Sequence, residues 1–110
     1  METPYYNGDE CLRRMQMIAT NDEILGFLKC NVYKYVLRAG RKYKTDLEKS
    51  KEDFAKAAVY AGELCTRCDG YGYDKVCQML LECEKDVCDW LMLEHKRNEI
   101  LAEMERWWRW

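Results

Sequence analysis

The sequence predicts an all-α fold, a single-domain helical bundle of about four helices with a long C-terminal helix. Three observations carry that expectation. Apolar residues recur at the 3.6-residue period through most of the chain. The β-branched alternation of strands is missing. The only proline, Pro4, stands near the start, where it interrupts no helix. A chain of 110 residues bounds the fold to one domain over residues 1–110, with room for a single modest core.

The first helix follows the turn Asn7-Gly8-Asp9, with Cys11, Leu12, Met15 and Ile18 at helical spacing to about Ala19. Thr20 precedes Glu23 by three residues and Thr45 precedes Glu48 by three, so two Thr-x-x-Glu capping boxes open a second and a third helix. The second buries Ile24, Leu25, Phe27, Leu28, Val32, Tyr35 and Val36 and ends at Gly40. The third buries Leu47, Phe54, Ala57 or Ala58, Ala61 and Leu64, with small alanines permitting close approach. Two glycines in DGYGYD, residues 69–74, break the pattern. A fourth helix over residues 74–110 then carries Val76, Met79, Leu80, Cys83, Val87, Trp90 and Leu91 on one face. The polar run EHKRNE, residues 94–99, interrupts that face as an exposed turn or a hinge.

Charge narrows the function. Lysine and arginine number 18 against 20 acids, so no global field draws the chain to nucleic acid or an anionic membrane. No apolar run reaches membrane-spanning length, and the start METPYYNGDE has no signal-peptide pattern, which leads to the expectation of a cytoplasmic protein. Seven cysteines in such a setting read as reduced, core-filling thiols.

The positive charge is nonetheless concentrated. Lys29, Lys34, Arg38, Arg41, Lys42 and Lys44 fall within residues 29–44 without one acid among them. Asn31, Lys34 and Arg38 share one helical stripe, and Gly40 turns the chain so that Arg41 and Lys42 return toward it. Such a cluster of charge-assisted donors suits a phosphate group, and Tyr33, Tyr35 or Tyr43 offers a ring for a base. From spacing alone, a solvated basic face beside a helix C-terminus explains the cluster more simply.

The segments PYYNGDECLRRM, FLKCNVYKYVLRAGRK and TDLEKSKEDF shift that balance. Together they resemble a small-protein family of tailed bacteriophages described as nucleotide-kinase-like. The matching positions are Pro4, Tyr6, Phe27, Asn31, Lys34, Tyr35, Arg38, Ala39, Gly40, Lys42, Asp46, Leu47 and Lys49, within residues 4–60. Tyr5 stands where the family has histidine, and Cys30 where it has glycine. The resemblance implies a phage-encoded helical protein whose nucleotide site is built on Asn31, Lys34, Arg38 and the Gly40 turn; taken with the basic cluster, the candidate nucleotide-binding residues are Asn31, Lys34, Tyr35, Arg38, Arg41 and Lys42. Capture of a nucleotide, such as a host defence signal, needs only the basic site. A nucleoside monophosphate kinase must also position a second nucleotide and neutralise developing charge, usually with magnesium. Capture without a cofactor therefore ranks first and the kinase second.

Other candidates are weaker. Cys65 to Gly72, CTRCDGYG, matches one zinc knuckle where zinc usually needs two. His95 reads as a surface partner of Glu99, and Glu82, Asp86 and Asp89 as a wet helix face. No metal site is expected. The terminal ILAEMERWWRW places Ile100, Leu101, Met104, Trp107 and Trp108 beyond the polar run. This stripe needs a partner, which makes a homo-oligomer the expectation, with fold-back on its own core or docking on a host defence protein as alternatives.

Overall fold

In the computed structural model, which describes residues 8–67 and 73–107 (of Gly8, Asp9 and Trp107 the backbone only), five helices follow one another. They are α1 (Gly8–Ile18), α2 (Asn21–Arg38), α3 (Leu47–Arg67), α4 (Tyr73–Asp86) and α5 (Trp90–Trp107). No strand occurs among the described residues, so the all-α helical bundle expected from periodicity is the fold.

Side-chain chemistry sets the boundaries. At the start of α2 the Thr20 N–H donates to Glu23 Oε1 at 2.8 Å, and the Glu23 N–H donates to Thr20 Oγ1 at 3.2 Å. The predicted capping box is thus complete. The box predicted at Thr45 does not form. Instead Asp46 accepts the Lys49 N–H at 3.1 Å on Oδ1 and the Ser50 N–H at 3.0 Å on its carbonyl, and α3 begins one residue later. An ionised carboxylate beside the positive end of a helix is a stronger acceptor than a hydroxyl.

The long C-terminal helix is in fact two. The break falls at residues 87–89, not within the polar run at 94–99. Asp89 caps α5, its Oδ1 accepting the Met92 N–H at 2.7 Å. The bend reorients the predicted face: Val87 is buried, whereas Trp90 and Leu91 turn outward, Leu91 to 79% exposure. The run at 94–99 lies inside α5.

α3 packs broadly against α2 and α4, and α5 returns from α4 to reach α2, closing a ring of four helices with α1 laid on α2. Phe54, Leu28, Leu64, Leu80, Leu93 and Ile100 fill the centre. The C-terminal stripe is part of this core. Ile100 and Met104 are fully buried within the chain and Leu101 is half-buried, while Trp108 lies outside the described residues. The exposed apolar stripe on which the oligomer expectation rested is therefore, at Ile100 and Met104, already covered by the chain's own helices. Glu103 ties the arrangement down, meeting Lys75 Nζ of α4 at 3.2 Å. Among the described residues no helix is long and apolar enough to cross a membrane.

Candidate functional site: a basic face around two tyrosines

The C-terminal half of α2, the turn after it and the first turns of α3 bring the basic residues together. α2 ends where the Ala39 N–H donates to the carbonyls of Tyr35 and Val36, and Gly40 takes a φ of +83°, a region that L side chains rarely enter. The Arg38 carbonyl then accepts the N–H groups of Arg41, at 2.9 Å, and Lys42, at 3.3 Å. Ser50, buried on α3, donates from Oγ to the Tyr43 carbonyl at 2.7 Å and pins the returning chain to the helix.

Arg38 is held from below. Its Nε and Nη2 donate to Oδ1 of Asp53 at 3.2 and 2.8 Å, and Asp53 is wholly buried. This bond is the main influence raising the Arg38 pKa, and the nearby Tyr35 and Tyr43 add to it. Of the two rings, that of Tyr35 lies against the guanidinium. Moving Arg38 onto a ligand would leave a buried carboxylate unpaired, at about 3–5 kcal/mol. One charge-assisted hydrogen bond returns only about 1.5–3 kcal/mol. Arg38 stays on Asp53 and organises the face around it.

Tyr35 is a buried part of that scaffold. Its ring stacks on Tyr60 of α3 with centroids 5.8 Å apart and planes 6° from parallel, and the Arg38 guanidinium lies 4.9 Å from its centroid. Lys34 Nζ stands 5.3 Å and Lys56 Nζ 5.9 Å from the same ring. Tyr43 is more open, with Lys42 and Lys49 each 5.4 Å from its centroid. No carboxylate pairs with any of these four lysines among the described residues. Cation–π contact satisfies them only in part.

Of the predicted site residues, Lys34 and Arg38 thus meet at the Tyr35 ring, and Lys42 stands at the Tyr43 ring on the following turn. Asn31 is turned to its own helix, its Nδ2 donating to the Phe27 carbonyl at 3.0 Å. Arg41 is exposed at the Gly40 turn. Lys56 escapes the sequence reading, and Lys49 enters it only as a position matching the resembled family and not as a site residue, because both belong to the next helix, although their seven-residue spacing, two helical turns, marks one stripe of α3. Among the described residues, a surface groove of about 590 Å³ lies between α3 and α4 and another of about 370 Å³ beside α1. Neither is lined by the basic face.

The remaining candidates resolve individually. His95 Nε2 meets Glu99 Oε1 at 2.7 Å on the surface, as the spacing predicts. Asp89 is committed to its cap. No three His, Cys, Asp or Glu side chains converge as a metal cluster among the described residues, and Cys68 of the knuckle lies outside them. Burial pushes the Cys77 thiol up and that of Cys83 to about 11, so both are neutral packing groups at pH 7.

No family model matches the chain, and neither the curated proteins nor the solved structures yielded a match.

Proposed function

We propose that the chain is a nucleotide-binding protein that holds the phosphate of its ligand on Lys34 and Lys56 and the base against Tyr43, between Lys42 and Lys49. The observation that carries this reading is the gathering of four lysines, none paired with a carboxylate among the described residues, around two tyrosines, of which Tyr35 lies against the Arg38 guanidinium that Asp53 holds. Lysine supplies mobile point charges for phosphate, and a ring supplies a sequence-tolerant platform for a base. The resemblance of residues 4–60 to the phage nucleotide-kinase-like family supports a phage setting, in which the protein captures a nucleotide such as a host defence signal.

The test is thermal denaturation with a panel of mononucleotides and cyclic nucleotides, since a ligand of the folded state raises the melting temperature by mass action. The Lys34→Ala/Lys56→Ala double variant should bind about tenfold to a hundredfold more weakly while melting as wild type without ligand. Unchanged affinity, or a panel that shifts nothing, defeats the reading. Diphosphate formed from ATP, magnesium and a deoxynucleoside monophosphate, and lost in the same variant, would replace capture with turnover.

A further inference from the structure

Arg97 sits within the run that the sequence presents as an exposed turn, yet it is only 8% exposed. Its position on α5 carries it to the end of α2, where Nη1 donates to the Ala39 carbonyl at 2.8 Å. A cation there complements the negative end of a helix. The fit is close: a Cβ on Gly40 would lie 3.3 Å from Arg97 Nη1 and 2.6 Å from Leu93 Cδ2. So the glycine is needed twice, for its φ and for the approach of α5.

One carbonyl does not satisfy a guanidinium. Nε of Arg97 is buried and donates to no acceptor among the described residues, and no carboxylate stands within ion-pair distance. Other buried charges of this molecule are treated differently: Asp53 has Arg38, and Glu103 has Lys75. Instead of an acid, Arg97 has a second cation as neighbour. Arg41, the residue directly after the Gly40 against which Arg97 packs, is exposed and in no ion pair among the described residues; burial first and the Arg41 charge second lower the Arg97 pKa, and Glu94 offsets this in part. Two arginines flank one glycine turn, one buried with an idle donor and one at the surface, and an anion between them would relieve their mutual repulsion.

The geometry points to a second anion site, formed by Arg97 and Arg41 at the Gly40 turn, that takes a phosphate group. Arg97 supplies a donor fixed by its bond to Ala39, and Arg41 the mobile fork that closes from solvent. The inference stands apart from the two-tyrosine face: it uses neither ring and none of the four lysines.

Inorganic phosphate is the probe, added at millimolar concentration to the full chain and compared with sodium chloride at matched ionic strength. Wild type should gain melting temperature from phosphate beyond the chloride control. Arg41→Ala is the informative variant because the residue is exposed and its loss relieves repulsion. It should melt at or above wild type without phosphate, yet bind phosphate at least about tenfold more weakly. Arg97→Lys, which keeps the charge and loses the fork, should weaken phosphate in the same direction. The Lys34→Ala/Lys56→Ala variant should keep a phosphate shift that adding Arg41→Ala to it removes, so failure of the nucleotide reading and failure of this one are separable. An equal shift in wild type and Arg41→Ala, no shift beyond chloride, or a shift lost only with the lysines overturns the proposal.

Discussion

Cys83 illustrates how burial becomes a pH dependence. The thiol is fully buried on α4, and desolvation raises its pKa from an ordinary 9.0 to about 11. A raised folded-state pKa means that the unfolded chain loses its proton first. The associated stability is intact below pH 9 and drains away as pH climbs from 9 through 11. Two units correspond to about 2–3 kcal/mol. Other groups titrate in that window, so the measurement is a difference: denaturant midpoints of wild type and Cys83→Ala at several pH values. The variant should be less stable at pH 7, through the cavity it leaves, and should lose less between pH 9 and 11. Parallel curves would show that the thiol is not protected as its burial implies. The same desolvation explains why Asp53 needs Arg38, and why the site's charged anchor had to come from two different helices.

The helices show what the sequence displays and what it conceals. Thr20-x-x-Glu23 was legible because both partners are local and the geometry needs nothing else. Asp46 and Asp89 were not, because a lone aspartate caps a helix or merely decorates one, and only the packing of neighbours decides. The break before α5 has no glycine or proline to announce it. It forms because Val87 is drawn into the core while Asp89 supplies the acceptor that the next helix needs. Asp89→Ala should therefore cost about 1 kcal/mol of stability in chemical denaturation, with Asp89→Asn close to neutral. An alanine variant as stable as wild type would mean that the α4–α5 packing alone fixes the bend. The basic cluster at the end of α2 was legible in the same local way, since Lys34, Arg38, Arg41 and Lys42 lie within two turns of Gly40. The roles of Lys49, Lys56 and Arg97 were not legible for the opposite reason: the two lysines reach the basic face, and Arg97 the end of α2, only after α3 and α5 have packed, and nothing in a linear spacing records that approach.

The path of α5 settles what the C-terminal residues contribute to the fold. An apolar stripe beyond a polar interruption reads as a surface in search of a partner, but Arg97 inside that interruption bonds the end of α2 and draws the helix across the bundle. Ile100 and Met104 then enter the core, with Met104 at 1% exposure, and the Glu103–Lys75 pair locks α5 to α4. A chain cut after Glu99 would lose two core side chains and that pair together. Its expected fate is unfolding, so truncation cannot by itself distinguish a dissociated oligomer from a broken domain. A single substitution can. Met104→Ala should destabilise the protein by about 2–5 kcal/mol through cavity formation. Because the methionine packs within one chain, that loss should be the same at low and high protein concentration, and light scattering should give the same mass for variant and wild type. If Met104 instead lay between subunits, the melting temperature of wild type would climb with concentration, and the variant would show a smaller mass. That pattern would return these residues to an interface between copies. Concentration-independent melting with the loss predicted here would leave any assembly to surfaces that the bundle still exposes, such as Leu91 at the start of α5.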